Sequence, residues 1–167
     1  MNKLSKRLEV VASFVDENDK SVIDIGCDHG LLSIFLANKY KKLNIIASDV
    51  NKNALESARG NISKYNLEDR IDVRLGDGLS VIKNNDNIDS IVIAGMGANN
   101  ITGFLKSDVD KLVNVNKIIK DGDDNSSQKE KYADIDMRSI KYFDSKNNIF
   151  CNFLHILQQF YLFVFLF

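Results

Sequence analysis

Neither sign of charge dominates this sequence: 22 Lys and Arg stand against 23 Asp and Glu in 167 residues, a formal net charge of -1. A global positive field that would draw nucleic acid or an anionic membrane is therefore excluded, and any RNA-binding surface must be local. Cysteine is almost absent. Cys27 and Cys151 lie in dissimilar contexts without Cys-x-x-Cys spacing, which argues against a disulfide framework and fits a reducing cytoplasm. No leader is visible either, because MNKLSKRLEVVASFVDENDK lacks an uninterrupted apolar core and a small-residue cleavage site. Long apolar runs are missing until the very end. There the final eight residues, FYLFVFLF, follow Asn152, His155, Gln158 and Gln159, and the run is far short of the ~20 residues that a membrane-spanning helix needs.

What is present is the content of one globular domain, 44% hydrophobic. Leu4, Leu8, Val11 and Val15 recur at helical spacing and predict a leading helix. Ser21–Ile25 reads as a strand, Leu31–Tyr40 as a helix, Leu43–Ser48 as a strand and Asn51–Tyr65 as a helix with Ala54, Leu55, Ala58 and Ile62 on one face. Ile71–Leu75 and Ile88–Ala94 supply two more strands. Strand and helix alternate at the βαβ period, so the expected fold class is α/β, a parallel sheet with helices on both faces. Beyond residue 119 the polar stretch to residue 148 has a composition expected of disorder, and no further strand is predicted in it. Residues 149–167 form an apolar tail of unassigned role.

VIDIGCDHG, residues 22–30, is a strand entering a glycine turn. A turn of this kind that opens a helix directs main-chain N–H groups and the positive end of the helix dipole at a ligand. In G-x-G-x-x-G the second glycine lets the chain approach a pyrophosphate. Asp28 holds that position here, and its carboxylate would repel a pyrophosphate but attract the ammonium of S-adenosylmethionine. That substitution argues against a nicotinamide dinucleotide oxidoreductase. Asp49 closes the second strand 23 residues after Gly26, where such folds place an acid for ribose hydroxyls. Asp77 and Gly78 follow the third strand and Gly95-Met96-Gly97 the fourth, so four consecutive strand ends contribute to one edge. The ordinary alternatives are specific: Asp24 orienting loop amides, Asp49 and Asp77 as caps or turn formers, Met96 as core filler, Cys27 as a small buried hydrophobe and His29 as a packing residue. No residue cluster has metal-ligand spacing.

LSKRL at Leu4–Leu8, DIGCDHG at Asp24–Gly30, RLGDGL at Arg74–Leu79 and IAGMG at Ile93–Gly97 together resemble the bacterial tRNA (adenine(22)-N(1))-methyltransferase family. The resemblance spans about residues 1–119. It implies a Rossmann-like class I methyltransferase domain that uses S-adenosylmethionine and acts on tRNA in the cytoplasm. Gly26, Asp28 and His29 would then line the methionine end of the cofactor, Asp49 would take the ribose, and Asp77 and Gly78 would flank the adenine. Asp28, Gly95 and Met96 become candidates for the cleft where cofactor meets target base, and Ser5, Lys6 and Arg7 for contact with RNA phosphate. No general base is assigned. The family continues after its fifth strand with a Gln-Pro-Asn segment, more strands and a helical extension, whereas this chain contains no proline. The departure near Ile119 predicts a frameshifted or prematurely ended product whose sheet is incomplete on its C-terminal side and whose fifth strand is an exposed edge. The alternative function is a non-catalytic, cofactor-binding remnant. Neither a protein partner nor a membrane is expected.

Overall fold

A computed structural model describes residues 4–96, 108–112, 114–121 and 132–136. Its framework is one six-stranded sheet in the order β3-β2-β1-β4-β5-β6. The strands are β1 (Ser21–Ile25), β2 (Asn44–Asp49), β3 (Ile71–Leu75), β4 (Ser90–Ile93), β5 (Lys117–Asp121) and β6 (Tyr132–Asp136). The first five run parallel and β6 pairs antiparallel with β5. β1 is central, and all five of its residues are buried, as a parallel strand covered on both faces requires.

Alternation along the strands divides the core in two. Val22, Ile45, Ala47, Val92 and Ile119 point to one face, where they meet α1 (Lys6–Ser13), α2 (Leu31–Lys39) and α3 (Lys52–Lys64). Ile23, Ile25, Ile46, Ile91, Ile93 and Ile118 point to the other, where Leu79, Ile82, Ile88, Leu112 and Val115 cover them. Among the described residues, then, α-helices cover one face, and the other is covered by loops and two 3-10 turns, Gly78–Val81 and Val109–Leu112. Helix ends are set by local chemistry. Ser5 is extended and its hydroxyl accepts the Leu8 amide at 3.3 Å, starting α1. The Asn51 side chain accepts the amides of Asn53 and Ala54, starting α3. Lys117 donates to the Phe14 carbonyl at 2.9 Å and Tyr40 to that of Val15 at 2.9 Å, fixing the end of α1 against the sheet and α2.

Two expectations are corrected at the C-terminal side. Within the polar stretch, where no strand was expected, Tyr132–Asp136 forms β6. β5 therefore has neighbours on both sides and is not the edge of the sheet. The sequence signal was weak because YADID alternates over only five residues among charged neighbours, and an antiparallel edge strand needs main-chain pairing more than a hydrophobic run. β5 itself begins at Lys117, two residues after Val115. Val115 closes a turn on Leu112, with its amide 3.0 Å from that carbonyl, and is buried there. Gly97 and the apolar tail at 149–167 lie outside the described residues, as does most of the polar stretch.

Candidate functional site

The carboxyl ends of β1 and β4 are neighbours in the sheet, yet the chain leaves β1 towards β2 on one side and reaches β4 on the other. This is the switch point at which open parallel sheets bind ligands. A cleft of about 320 Å3 opens there, lined by the turn after β1, the start of α2, Ala94 and Gly95 after β4, and Arg7 and Leu8 of α1.

Gly26, Asp28 and Gly30 have φ of +74°, +50° and +70°, three left-handed residues in five. Glycine adopts that conformation freely and aspartate tolerates it. The turn is held from β2: the amides of Gly26 and Cys27 both donate to the Ser48 carbonyl, at 2.8 and 2.9 Å. The Asp28 amide donates to Asp49 Oδ2 at 3.0 Å, and the second oxygen of Asp49 accepts the Asn51 amide at 2.8 Å. The expectation that this turn offers its amides to a ligand is therefore corrected for residues 26–28, whose N–H groups are committed within the protein. A site whose amides are engaged and whose side chains include carboxylates is a poor cradle for phosphate.

Asp24 lies on the helix-facing side of β1 and is 2% exposed. Its Oδ2 accepts the Ser33 hydroxyl at 2.7 Å. Burial pushes its carboxyl up to about 6, the bonds from the Ser33 hydroxyl and amide oppose this, and the charge of Asp49 adds a little to the rise. Asp24 lines the cleft together with Asp28. Burial, with the nearby carboxylates Asp24 and Asp49, drives the Cys27 thiol well up, so it stays protonated and is no nucleophile. His29 sits 2.7 Å through Nδ1 from the Ser57 hydroxyl, its carbonyl accepts Asn61 Nδ2 at 3.0 Å, and its Nε2 is 3.6 Å from Asp28 Oδ2.

Four of the residues expected at the cofactor, Gly26, Asp28, His29 and Gly95, line this cleft, and Arg7, expected on RNA, lines it with them. Asp49 is joined to it through the Asp28 amide. Asp77 and Gly78 lie outside the lining, at the same sheet edge beyond β3: Asp77 precedes the 3-10 turn and its carbonyl accepts the Ser80 amide and hydroxyl. The Gly76 amide reaches the Asp49 carbonyl at 3.1 Å, linking that loop to β2. Met96 packs on the core face opposite the helices and its Cε stands 2.5 Å from where a Gly26 Cβ would be. Ser5 caps α1 and Lys6 is exposed on it. Sequence reasoning gave Asp24 only the part of orienting amides and placed Arg7 on RNA. The available signal for Asp24 was a carboxylate two residues before Gly26 in an otherwise apolar strand. Among the described residues no group of three or more His, Cys, Asp or Glu could hold a metal ion.

A parallel sheet in the order 3-2-1-4-5 with an antiparallel strand added, and an acidic glycine-turn cleft at its switch point, defines a Rossmann-like methyltransferase fold. Residues 4–134 match the family described as "Methyltransferase domain", and the chain belongs to that family. It is similar to the tRNA (adenine(22)-N(1))-methyltransferase of Bacillus subtilis, 38% identical over 117 residues that cover 70% of this chain and 48% of that protein. It is also similar to a putative tRNA methyltransferase of Mycoplasma genitalium, 36% identical over 104 residues, 61% of this chain and 46% of the relative. Among solved structures, a Streptococcus pneumoniae putative tRNA (m1A22) methyltransferase in complex with S-adenosyl-L-methionine superposes with a TM-score of 0.66 at 37% identity. The match covers 71% of this chain and 55% of that one. The M. capricolum TrmK in complex with S-adenosyl-homocysteine gives a TM-score of 0.63 at 35% identity, covering 70% and 51%. The chain spans about half the length of the curated relatives it matches.

Proposed function

We propose that this chain carries the S-adenosylmethionine-binding part of an enzyme that methylates N1 of adenine 22 in tRNA. The observation that carries the reading is the cleft at the switch point between β1 and β4, where the turn amides are committed internally and Asp24 and Asp28 supply carboxylates. Those donors fit a ligand whose reactive end bears an ammonium and a sulfonium rather than phosphates. When bound, the cofactor supplies an activated methyl group, so the protein's task is orientation more than acid–base chemistry. Asp28 and Asp24 would face the ammonium. Asp49, braced by the Asp28 and Asn51 amides, would present its remaining lone pairs to the ribose hydroxyls, and the loop of Asp77 and Gly78 would border the adenine. Gly95, which carries no side chain, and Met96 would flank the space where a base extruded from the RNA enters. Lys6, exposed on α1, is the proposed contact for RNA phosphate. The medium proposed for this activity is the cytoplasm; among the described residues no helix is long and apolar enough to cross a membrane.

A second reading, which the cleft supports equally, is a chain that binds the cofactor without turnover. Calorimetric titration of the full chain with S-adenosylmethionine, with Asp49→Ala as control, tests what the two readings share. Methyl transfer to tRNA bearing adenine or guanine at position 22 then separates them. Binding with transfer only to the adenine form supports the enzyme, binding without transfer the second reading, and a folded chain that binds nothing removes both.

A further inference from the structure

The loop that follows β3 is gathered around one arginine. Alternation along β3 puts Asp72 and Arg74 on the side of the sheet away from the α-helices, opposite Ile46 and Ser48 of β2. The Arg74 guanidinium bonds along each of its edges: Nε donates to Asp72 Oδ2 at 2.8 Å, Nη2 to Asp86 Oδ1 at 2.9 Å, and Nη1 to the Val81 carbonyl at 2.9 Å as well as to Asp86 Oδ2. Asp86 in turn accepts the Lys83 amide at 2.6 Å. The side chains of Arg74 and Asp86 are only 12% and 9% exposed, and the bond from the guanidinium holds the Asp86 carboxyl below its ordinary value. Such a pair adds little to stability, because desolvation offsets most of the attraction; its fork geometry supplies one defined arrangement of the segments it joins. Here those segments are β3 and the middle and end of the loop whose start carries Asp77 and Gly78. A Cβ on Gly76 would collide with Val81 Cγ1, so the residue that Arg74 holds by its carbonyl packs directly against the residue before Asp77. Ser80 closes the same turn by donating its amide and hydroxyl to the Asp77 carbonyl.

We propose that Arg74 is a positioning residue: with Asp86 as its partner it fixes the Asp77–Gly78 segment against the base of the bound nucleoside and so sets the preference for adenine. This rests on the reading of the ligand as S-adenosylmethionine. Arg74 lies outside the cleft lining and acts through the loop alone. The planar fork spans Val81 and both oxygens of Asp86 at once, which a lysine cannot reproduce. With that fork removed, the loop keeps its attachment to β2 through the Gly76 amide and the Asp49 carbonyl, 3.1 Å apart, and its far part is freed to shift. The ends of β1 and β4, which build the cleft, are untouched by the change.

The test is calorimetry on the full chain with two probes, S-adenosylhomocysteine and S-inosylhomocysteine, which differ only in the exchange of the 6-amino group of the base for an oxo group. Wild type should prefer the adenosyl ligand. Arg74→Ala should weaken that ligand about tenfold, ~1.4 kcal/mol, and the inosyl ligand far less, so that the preference collapses. Arg74→Lys, which keeps the charge without the fork, should fall between. Asp86→Asn should repeat the loss, and the double variant should add little to either single change, as expected of two residues acting through one contact. Hydrogen exchange of the ligand-free protein should show the amides of Ser80 and Ile82, bonded within the loop, exchanging faster in Arg74→Ala, a sign of local opening. Thermal melts establish that each variant is folded at the assay temperature, and should Arg74→Ala not fold, Arg74→Lys and Asp86→Asn carry the same comparison. Equal weakening of both ligands in folded variants, or none, makes Arg74 a structural bond and overturns the proposal, as does unchanged exchange of the loop amides. A wild type that binds both probes equally also overturns it and leaves the methyltransferase reading standing, whereas a folded wild type that binds neither removes both.

Discussion

Asp24 sits at the meeting of stability and ligand binding. Its carboxyl is raised from 3.8 to about 6 because the fold buries it. A group that holds its proton more tightly when folded favours the folded state most below the unfolded value, near pH 4. That contribution is lost as pH rises through the window from about 4 to 6, and the ionised carboxylate then costs ~2–3 kcal/mol relative to low pH. Asp28, Asp49 and the Cys27 thiol face it around the turn, and Arg7 faces it across the cleft. An ammonium in the cleft offsets the cost, so affinity for S-adenosylmethionine should fall several-fold as pH drops from 7 to 5. Asp24→Asn should leave the ligand-free protein as stable as wild type at pH 7 or more so, remove most of its stability change between pH 4 and 6, and weaken the cofactor at pH 7 by tenfold or more. Melting curves and calorimetry at both ends of the window read these effects. A variant that keeps the wild-type pH dependence would take Asp24 out of the site. At this scale the sequence exposed chemistry better than position. Asp28 was legible because its charge contradicts the glycine of a phosphate loop, and the burial of Asp24 because it interrupts an apolar strand; the opening of Asp24 onto the cleft and the inward course of Arg7 depend on which helix packs over which strand, and no local pattern records that.

Elements were legible where hydrophobic period and turn chemistry agree. Ser21–Ile25 and Ile71–Leu75 form as expected, and α3 carries the anticipated Leu55, Ala58 and Ile62 face. β6 was not legible, because a five-residue antiparallel strand is specified by the main chain of its neighbour. The two glycines beside and within α3 do opposite work. Gly30 caps α2 at φ +70°, and a Cβ there would stand 3.2 Å from Ala58 Cβ and 3.6 Å from Ala58 Cα on α3. Gly30→Ala combines left-handed strain with helix–helix crowding and should lower stability by ~1–3 kcal/mol, and cofactor affinity with it. Gly60 lies in the exposed middle of α3, with nothing within 4 Å of the position its Cβ would occupy. There the substitution acts mainly on the unfolded chain, and Gly60→Ala should raise stability by ~0.5–1 kcal/mol without touching the cleft. Chemical denaturation of the pair checks both signs, and a destabilised Gly60→Ala would mean that α3 has a neighbour on that side.

Across the whole molecule the sheet has two edges with different duties. The carboxyl ends of its strands form the cleft, and their amino ends are fastened together. Asp89, just before β4, accepts the Lys20 amide at 2.7 Å and the Ser21 amide at 3.1 Å through one oxygen, and Asn116 Nδ2 at 3.0 Å through the other. Its own carbonyl accepts the amides of Asn116 and Lys117, and its amide donates to the Ser21 carbonyl at 3.0 Å. One residue thus joins the starts of β1, β4 and β5, reaching 69 residues back to Lys20 and 27 forward to Asn116. Beside it, Asp19 accepts the Ser90 hydroxyl at 2.6 Å and lies 3.6 Å from Lys117 Nζ. In the sequence Asp89 is one polar residue inside the expected strand Ile88–Ala94 with nothing local to mark its role, since its partners are distant in the chain. Asp89→Ala leaves two strand-starting amides and one side-chain amide without their acceptor, and at ~1 kcal/mol for each should cost ~2–4 kcal/mol. A domain of this size should then melt ~5–15 °C lower. The cleft lies at the opposite ends of the same strands, so the variant, while folded, should bind S-adenosylmethionine with wild-type affinity. Calorimetry well below its melting temperature decides the point: an affinity loss as large as the stability loss would show that the two edges are coupled through the strands.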